Sequence, residues 1–242
     1  MNFTESTHQY DKNGIIYTSV SEVIERLTPE FKKDNISRAI AKRDDRQQED
    51  VLEEWGLKRD ISCNWGDAFH QSAELWIKYK QKPNQELLQE FVETLDQSID
   101  IEKCQPERIV WNEDLYIAGT IDIVERLSEA DRDVERGKVR LLDIKTNTDF
   151  EKSYDNLLEP FDDMKANKIN KYTLQLNFYK QMIEKQDNVE VEELVILKVE
   201  YDNGWNIEEI KVDMLEDDLF EVVKSLEIKV DKIEDNLIEK FV

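Results

Sequence analysis

Cysteine is almost missing from this chain: Cys63 and Cys104 are the only two in 242 residues. Two thiols cannot build a four-cysteine zinc or iron–sulfur centre, nor a disulfide framework, so a reducing, cytoplasmic setting is expected. No run approaches the ~18 consecutive apolar residues of a membrane span. The opening Met1-Asn-Phe-Thr-Glu-Ser also lacks the basic-then-apolar order of a signal peptide, and no membrane partner is expected. Glycine and proline are scarce at six and four, with no Gly/Ser linker, repeat or low-complexity stretch, which favours one domain over 1–242. Basic residues are in deficit, 33 Lys+Arg against 56 Asp+Glu, a net charge of −23. Charge of that sign gives no hint of nucleic-acid binding.

What remains is 39% apolar and 37% charged, still enough apolar material for a core at this length. Thr7–Tyr10 and Ile15–Thr18 flank Asn13-Gly14, a hairpin signal. Ser19-Val-Ser-Glu22 has the form of a capping box opening a short helix that stops before Pro29. Residues 31–60 read as helical and locally basic, through Lys32, Lys33, Arg38, Lys42, Arg43 and Arg46. Asn64 reads as the N-cap of a helix from Trp65 to about Lys82, ended by Pro83, with another helix over Gln85–Ser98.

The period then changes to two. Arg108–Trp111, Leu115–Arg126 and Val139–Thr146 read as strands, the charged insert Ser128–Lys138 as a solvated loop. Tyr172–Lys185 has helical spacing, Glu193–Tyr201 and Trp205–Val212 pair around Asp202-Asn-Gly204, and a long amphipathic helix is expected from Leu215. The class is mixed α/β (α+β), divided into a hairpin and basic helical region (1–60), a core (64–212) and an acidic C-terminal helix (213–242). From Glu184 to Val242 there are 19 acidic and 7 basic residues, which reads as a solvated outer face.

Four groups of residues carry chemistry. In Leu141-Leu-Asp143-Ile-Lys145, alternation puts Asp143 and Lys145 on one face of a strand. Alone, that pair reads as a surface ion pair. Asp122, in the apolar run Ala118-Gly-Thr-Ile-Asp-Ile-Val124, lies beside Asp143 if the two strands pair antiparallel. Neighbouring carboxylates repel unless a cation separates them, and oxygen ligation suits Mg²⁺ or Mn²⁺. His70 and Glu74 are four residues apart on one helix face; a lone His there is a helix-interface residue, but beside the carboxylates it becomes a candidate ligand. Gln175 and Tyr179 share a spacing of four, readable either as a helix edge or as a specific polar pair.

Taken in order, Gly66…His70…Glu74, Gly119-Thr-Ile-Asp122, Asp143-Ile-Lys145 and Gln175…Tyr179 resemble the PD-(D/E)XK nuclease superfamily, its RecB-type and phage exonuclease-like branch. The opening His8-Gln-Tyr10…Gly14-Ile-Ile-Tyr17 is also similar, so the resemblance spans roughly residues 8–212. Each motif alone is weak; four in order on the right elements are specific. Ile121 stands where the family name has proline, and the insert lengthens the Asp122–Asp143 spacing. The cysteines that some relatives use for an iron–sulfur cluster are missing, so no such cofactor is expected.

The resemblance implies a mixed central sheet flanked by helices, a restriction-endonuclease-like core behind an N-terminal hairpin and helices. It implies a Mg²⁺- or Mn²⁺-dependent deoxyribonuclease, an exonuclease of phage or bacterial recombination and repair, leaving 5′-phosphates. The ion would be held by Asp122, Asp143, the backbone carbonyl of Ile144 and His70. Glu74 would act beyond those ligands or with a second ion, Lys145 would stabilise the transition state, and Gln175 and Tyr179 would position the phosphate or the attacking water. Lys165, Lys168 and Lys171 would track DNA ends or single-stranded segments. Implied partners are DNA, a homo-oligomer or a recombination partner protein. The acidity keeps an alternative open, a non-catalytic nuclease-like binding or structural protein in a larger assembly.

Overall fold

The computed structural model describes every residue except 5–6, 8, 129–135, 147–148, 154, 217 and 227–242. Among the described residues, eight strands form one mixed sheet. The chain opens with β1 (Asn2–Thr4), β2 (Gln9–Lys12) and β3 (Ile15–Ser19). Asn13 and Gly14 turn β2 into β3 with φ of 54° and 76°, the left-handed pair a two-residue hairpin requires. The short strand β1, which the sequence did not signal, adds to the outer edge through Asn2–Asp11, Phe3–Tyr10 and Thr4–Gln9. His8 lies outside the described residues. The Ser19 hydroxyl accepts from the Glu22 amide at 3.1 Å, capping α1 (Val20–Arg26) as the sequence indicates.

The basic region holds α2 (Lys33–Arg43) and the first third of α3 (Gln48–Tyr79). Here the expectation of an N-cap at Asn64 is wrong: α3 runs unbroken for 32 residues through Asn64. No proline lies between Pro29 and Pro83, so nothing forces a break, and an Asn with no turn to start is simply an interior helix residue. Lys80, in left-handed backbone at φ 54°, ends the helix before Pro83. Next come α4 (Glu86–Ser98), a 3₁₀ turn over Ile101–Lys103, β4 (Cys104–Asn112), β5 (Ile117–Ser128) and β6 (Gly137–Lys145). Most of the insert between β5 and β6 falls on residues not described. Then α5 (Lys168–Gln186), capped by the Asn167 side chain, leads to β7 (Val189–Tyr201) and β8 (Trp205–Val212). The C-terminal α6 is described only over Leu219–Ser225; the rest of the long helix expected there lies on residues not described.

The sheet order is β1-β2-β3-β5-β6-β7-β8, with β4 also on β5. Apolar side chains of β5, β6 and β7 face both ways, as expected of strands covered on two sides. One layer packs α1, α5 and α6 against Ile121, Leu141, Leu194 and Ile196. The other packs Phe69, Ala73 and Ile77 of α3 and Phe91, Val92 and Leu95 of α4 against Ile123, Leu142, Ile144, Val195 and Leu197.

One strand has an unusual position. Along β5, β4 pairs antiparallel from Ile117 to Glu125 and so occupies one edge. The other edge is shared: β3 pairs in parallel at Ile117 and Ala118, while β6 pairs antiparallel from Ile123 to Ser128. Between those stretches, residues 119–122 have no strand on that edge. The sheet is split there, and the split is where the polar residues collect.

Candidate active site

Tyr179 of α5 fills the split. A Cβ on Gly119 would stand 2.4 Å from Tyr179 Cε1, so glycine is needed for the ring to reach the strand. Gln175, one turn earlier, donates from Nε2 to the Tyr179 hydroxyl at 2.9 Å, which accounts for an amide among apolar residues. Burial pushes the Tyr179 phenol well above its usual range, so the ring acts as a neutral donor and acceptor.

Asp122 and Asp143 sit one position beyond the last β5–β6 rung, Ile123–Leu142. With the ladder open, the Asp122 side chain takes over a backbone role: its Oδ2 accepts from the Ile144 amide at 2.7 Å. Its Oδ1 lies 3.4 Å from His70 Nδ1, brought from the opposite layer by α3. Burial alone would raise the Asp122 carboxyl, but the His70 charge, with Lys145 and the Ile144 amide, holds it below the ordinary range. Reciprocally, the Asp122 charge lifts His70 to about 9 against the cost of burial.

Asp143 is 1% exposed. Lys145 Nζ donates to its Oδ1 at 3.0 Å and lies 2.8 Å from Oδ2, while resting 4.8 Å over the Tyr172 ring. Burial raises the Asp143 carboxyl, Lys145 opposes it, and the Asp122 charge adds to the rise. Burial opposes the Lys145 charge too, yet Asp143 and Asp122 keep its ammonium above the ordinary lysine range. Asp143 Oδ2 is buried, with the Lys145 ammonium as its neighbour and no further donor among the described residues. Asp122 thus pairs with His70, and Asp143 with Lys145.

Glu107, which the sequence did not single out, completes the cluster. The rungs Pro106–Ile123 and Arg108–Ile121 bracket it opposite Asp122, and its φ of 52° is left-handed backbone for a non-glycine residue inside a strand. Donor atoms of His70, Glu107 and Asp122 lie within 4.8 Å of one another. Burial and then the Asp122 charge push Glu107 up to about 7. One imidazole and two carboxylates make a mixed nitrogen–oxygen set that fits a divalent cation.

The other expected residues are further out. Glu74 turns to Lys78, 2.5 Å away, and adds to the negative field on Glu107. It is not one of the three converging donors. Lys168 and Lys171 lie in the first turn of α5, the helix whose Tyr172 touches Lys145; Lys165 is exposed just before it.

No protein-family model matches the chain. No curated protein matches it either. Among solved structures, the chain is similar to "Putative exonuclease" from Eubacterium rectale at 14% identity and a TM-score of 0.38, covering 100% of this chain and 94% of that one. A likeness at that level decides neither the fold nor the activity of this chain.

Proposed function

We propose that the protein is a divalent-metal-dependent nuclease that hydrolyses DNA phosphodiester bonds, acting as an exonuclease. The observation that carries this reading is the split between β5 and β6, where Asp122 joins His70 to the Ile144 amide beside the Asp143–Lys145 pair. The motif order of the sequence, Gly119–Asp122, Asp143–Lys145 and Gln175–Tyr179 with the His70–Glu74 helix, supports it independently.

His70, Glu107 and Asp122 would hold Mg²⁺ or Mn²⁺, with Asp143 and the Ile144 carbonyl alongside. When bound, the ion supplies Lewis-acid polarisation of the phosphate and a water of lowered pKa. Lys145, fixed as an ammonium by two carboxylates, stabilises charge developing on the phosphate oxygens. Gln175 orients the Tyr179 hydroxyl toward the split, where it positions the substrate backbone. Lys165, Lys168 and Lys171 take the neighbouring phosphates, which gives an otherwise acidic protein a short positive track. The products are a 5′-phosphate and a 3′-hydroxyl.

The test is digestion of end-labelled linear DNA and closed circular DNA with Mn²⁺ or Mg²⁺. Loss of the linear substrate alone is expected, abolished by chelation and by Asp122→Asn. Cleavage that survives chelation contradicts the reading.

A further inference from the structure

A second feature abuts this site. Along α3, Ile61, Trp65 and Phe69 face the ends of β7 and β8 across a pocket of about 550 Å³. Its rings form a connected set: Trp65 to Phe69 at 5.8 Å, Phe69 to Trp205 at 5.0 Å and Trp205 to Tyr201 at 5.0 Å between centroids. Trp205 is anchored, donating from Nε1 to the Leu87 carbonyl at 2.7 Å. Trp65 and Tyr201 are not: they remain 39% and 56% exposed. Two large aromatic faces held open to solvent around a rigid ring call for something flat between them.

The polar lining narrows the occupant. Asp202 supplies a carboxylate, while that of Glu200 is turned to Lys198 at 2.9 Å, and among the described residues the lining includes no Lys, Arg or His. A lone carboxylate without a cation beside it disfavours phosphate, while its oxygens accept from exocyclic amino groups and ring N–H. Position narrows it further. Thr146 lines the pocket and directly follows Lys145; Phe69 lines it and directly precedes His70. Consecutive strand residues point to opposite faces, so Lys145 and the pocket lie on the two sides of the β6 end.

We propose that this pocket receives an unpaired nucleobase, stacked on Trp65 and Tyr201, from a single-stranded end whose phosphate lies at Lys145. The proposal rests on the nuclease reading and deepens it: the substrate presents a base free of its partner. Stacking tolerates any base, since each has a π-face, and the Asp202 carboxylate favours the amino-bearing ones. Phosphates go to the Lys145 side of the strand and bases to the aromatic side.

The test measures binding of short single-stranded oligonucleotides to the full chain in chelator, each oligonucleotide carrying one abasic position stepped inward from the end. Wild type is expected to bind about fivefold or more weakly when one particular position is abasic. Trp65→Ala and Tyr201→Ala should bind intact strands as weakly and lose that positional sensitivity; Trp65→Phe should restore it. Both residues are exposed, and thermal melts check that the variants fold. If wild type cleaves DNA but Trp65→Ala keeps full affinity and the same abasic profile, the pocket proposal is overturned and the nuclease reading stands. If wild type neither binds nor cleaves nucleic acid, both fall.

Discussion

The same two strands carry a second buried charge cluster, and it behaves differently. Five or fewer residues from the split, Glu125 and Arg140 are direct rungs of the intact β5–β6 ladder. Arg140 Nε donates to Glu125 at 2.6 Å and Nη1 to Glu209 at 3.1 Å, with side chains only 14% and 7% exposed for Arg140 and Glu125. That cluster is saturated, one guanidinium between carboxylates in a closed ladder. At the split, the ladder is open, Asp143 is held by Lys145, Glu107 is pushed up to about 7 and a histidine is the counter-ion of Asp122. Burial of charge is common to both. What separates a site able to bind and react from a structural bridge is unfilled coordination capacity.

The sharpest break in the comparison is a matched pair of variants. Lys145→Ala should lower the cleavage rate about 10²–10³-fold or more while the fold survives, because Asp143, already raised by burial, can take a proton. Arg140→Ala should do the reverse: leave cleavage per folded molecule near wild type and cost about 3 kcal/mol or more in urea unfolding, since it leaves Glu125 buried without its partner. Single-turnover rates and unfolding curves of both proteins check the pair.

Gly119→Ala comes next. Its Cβ would collide with the Tyr179 ring, so we expect a loss of about 1–3 kcal/mol and a displaced Gln175–Tyr179 pair. The pairing of that loss with a fall in cleavage ties the split to function.

The smallest effect is on pH. His70 lies at about 9 in the folded chain, above the ordinary 6.5 of an unfolded one. Its pairing with Asp122 therefore stabilises fully below pH ~6.5 and is lost as pH rises through about 9. Metal-free melts from pH 6.5 to 9.5 should show a declining midpoint, and His70→Gln should flatten the decline. An identical slope in that variant would remove the His70–Asp122 pair from the account.

Much of this was legible in the sequence because local patterns coincide with tertiary roles. Asp143-Ile-Lys145 needs only strand alternation to put acid and base on one face, and Gly119 and Asp122 sit conspicuously in an apolar run. Gln175 and Tyr179 met as helical spacing requires. Glu107 was not legible: in Gln105-Pro-Glu107-Arg-Ile it is an ordinary strand carboxylate until β4 pairs with β5 and a left-handed φ marks the position. The start of α3 was missed for the opposite reason, a plausible cap at Asn64 outweighing the absence of any breaker upstream. The aromatic pocket draws on Trp65, Tyr201 and Trp205, scattered over three elements with no shared period, and the sheet split is a property of pairing alone.

The central claim is that unfilled capacity at the split binds a cation and that the saturated cluster does not. Calorimetric titration of the metal-free protein with Mn²⁺ tests it most directly. The account predicts one ion per chain, bound tenfold or more weakly by both Asp122→Asn and Glu107→Gln and equally well by Glu209→Gln at the Arg140 cluster. Absence of binding, or equal affinity in all four proteins, would contradict it.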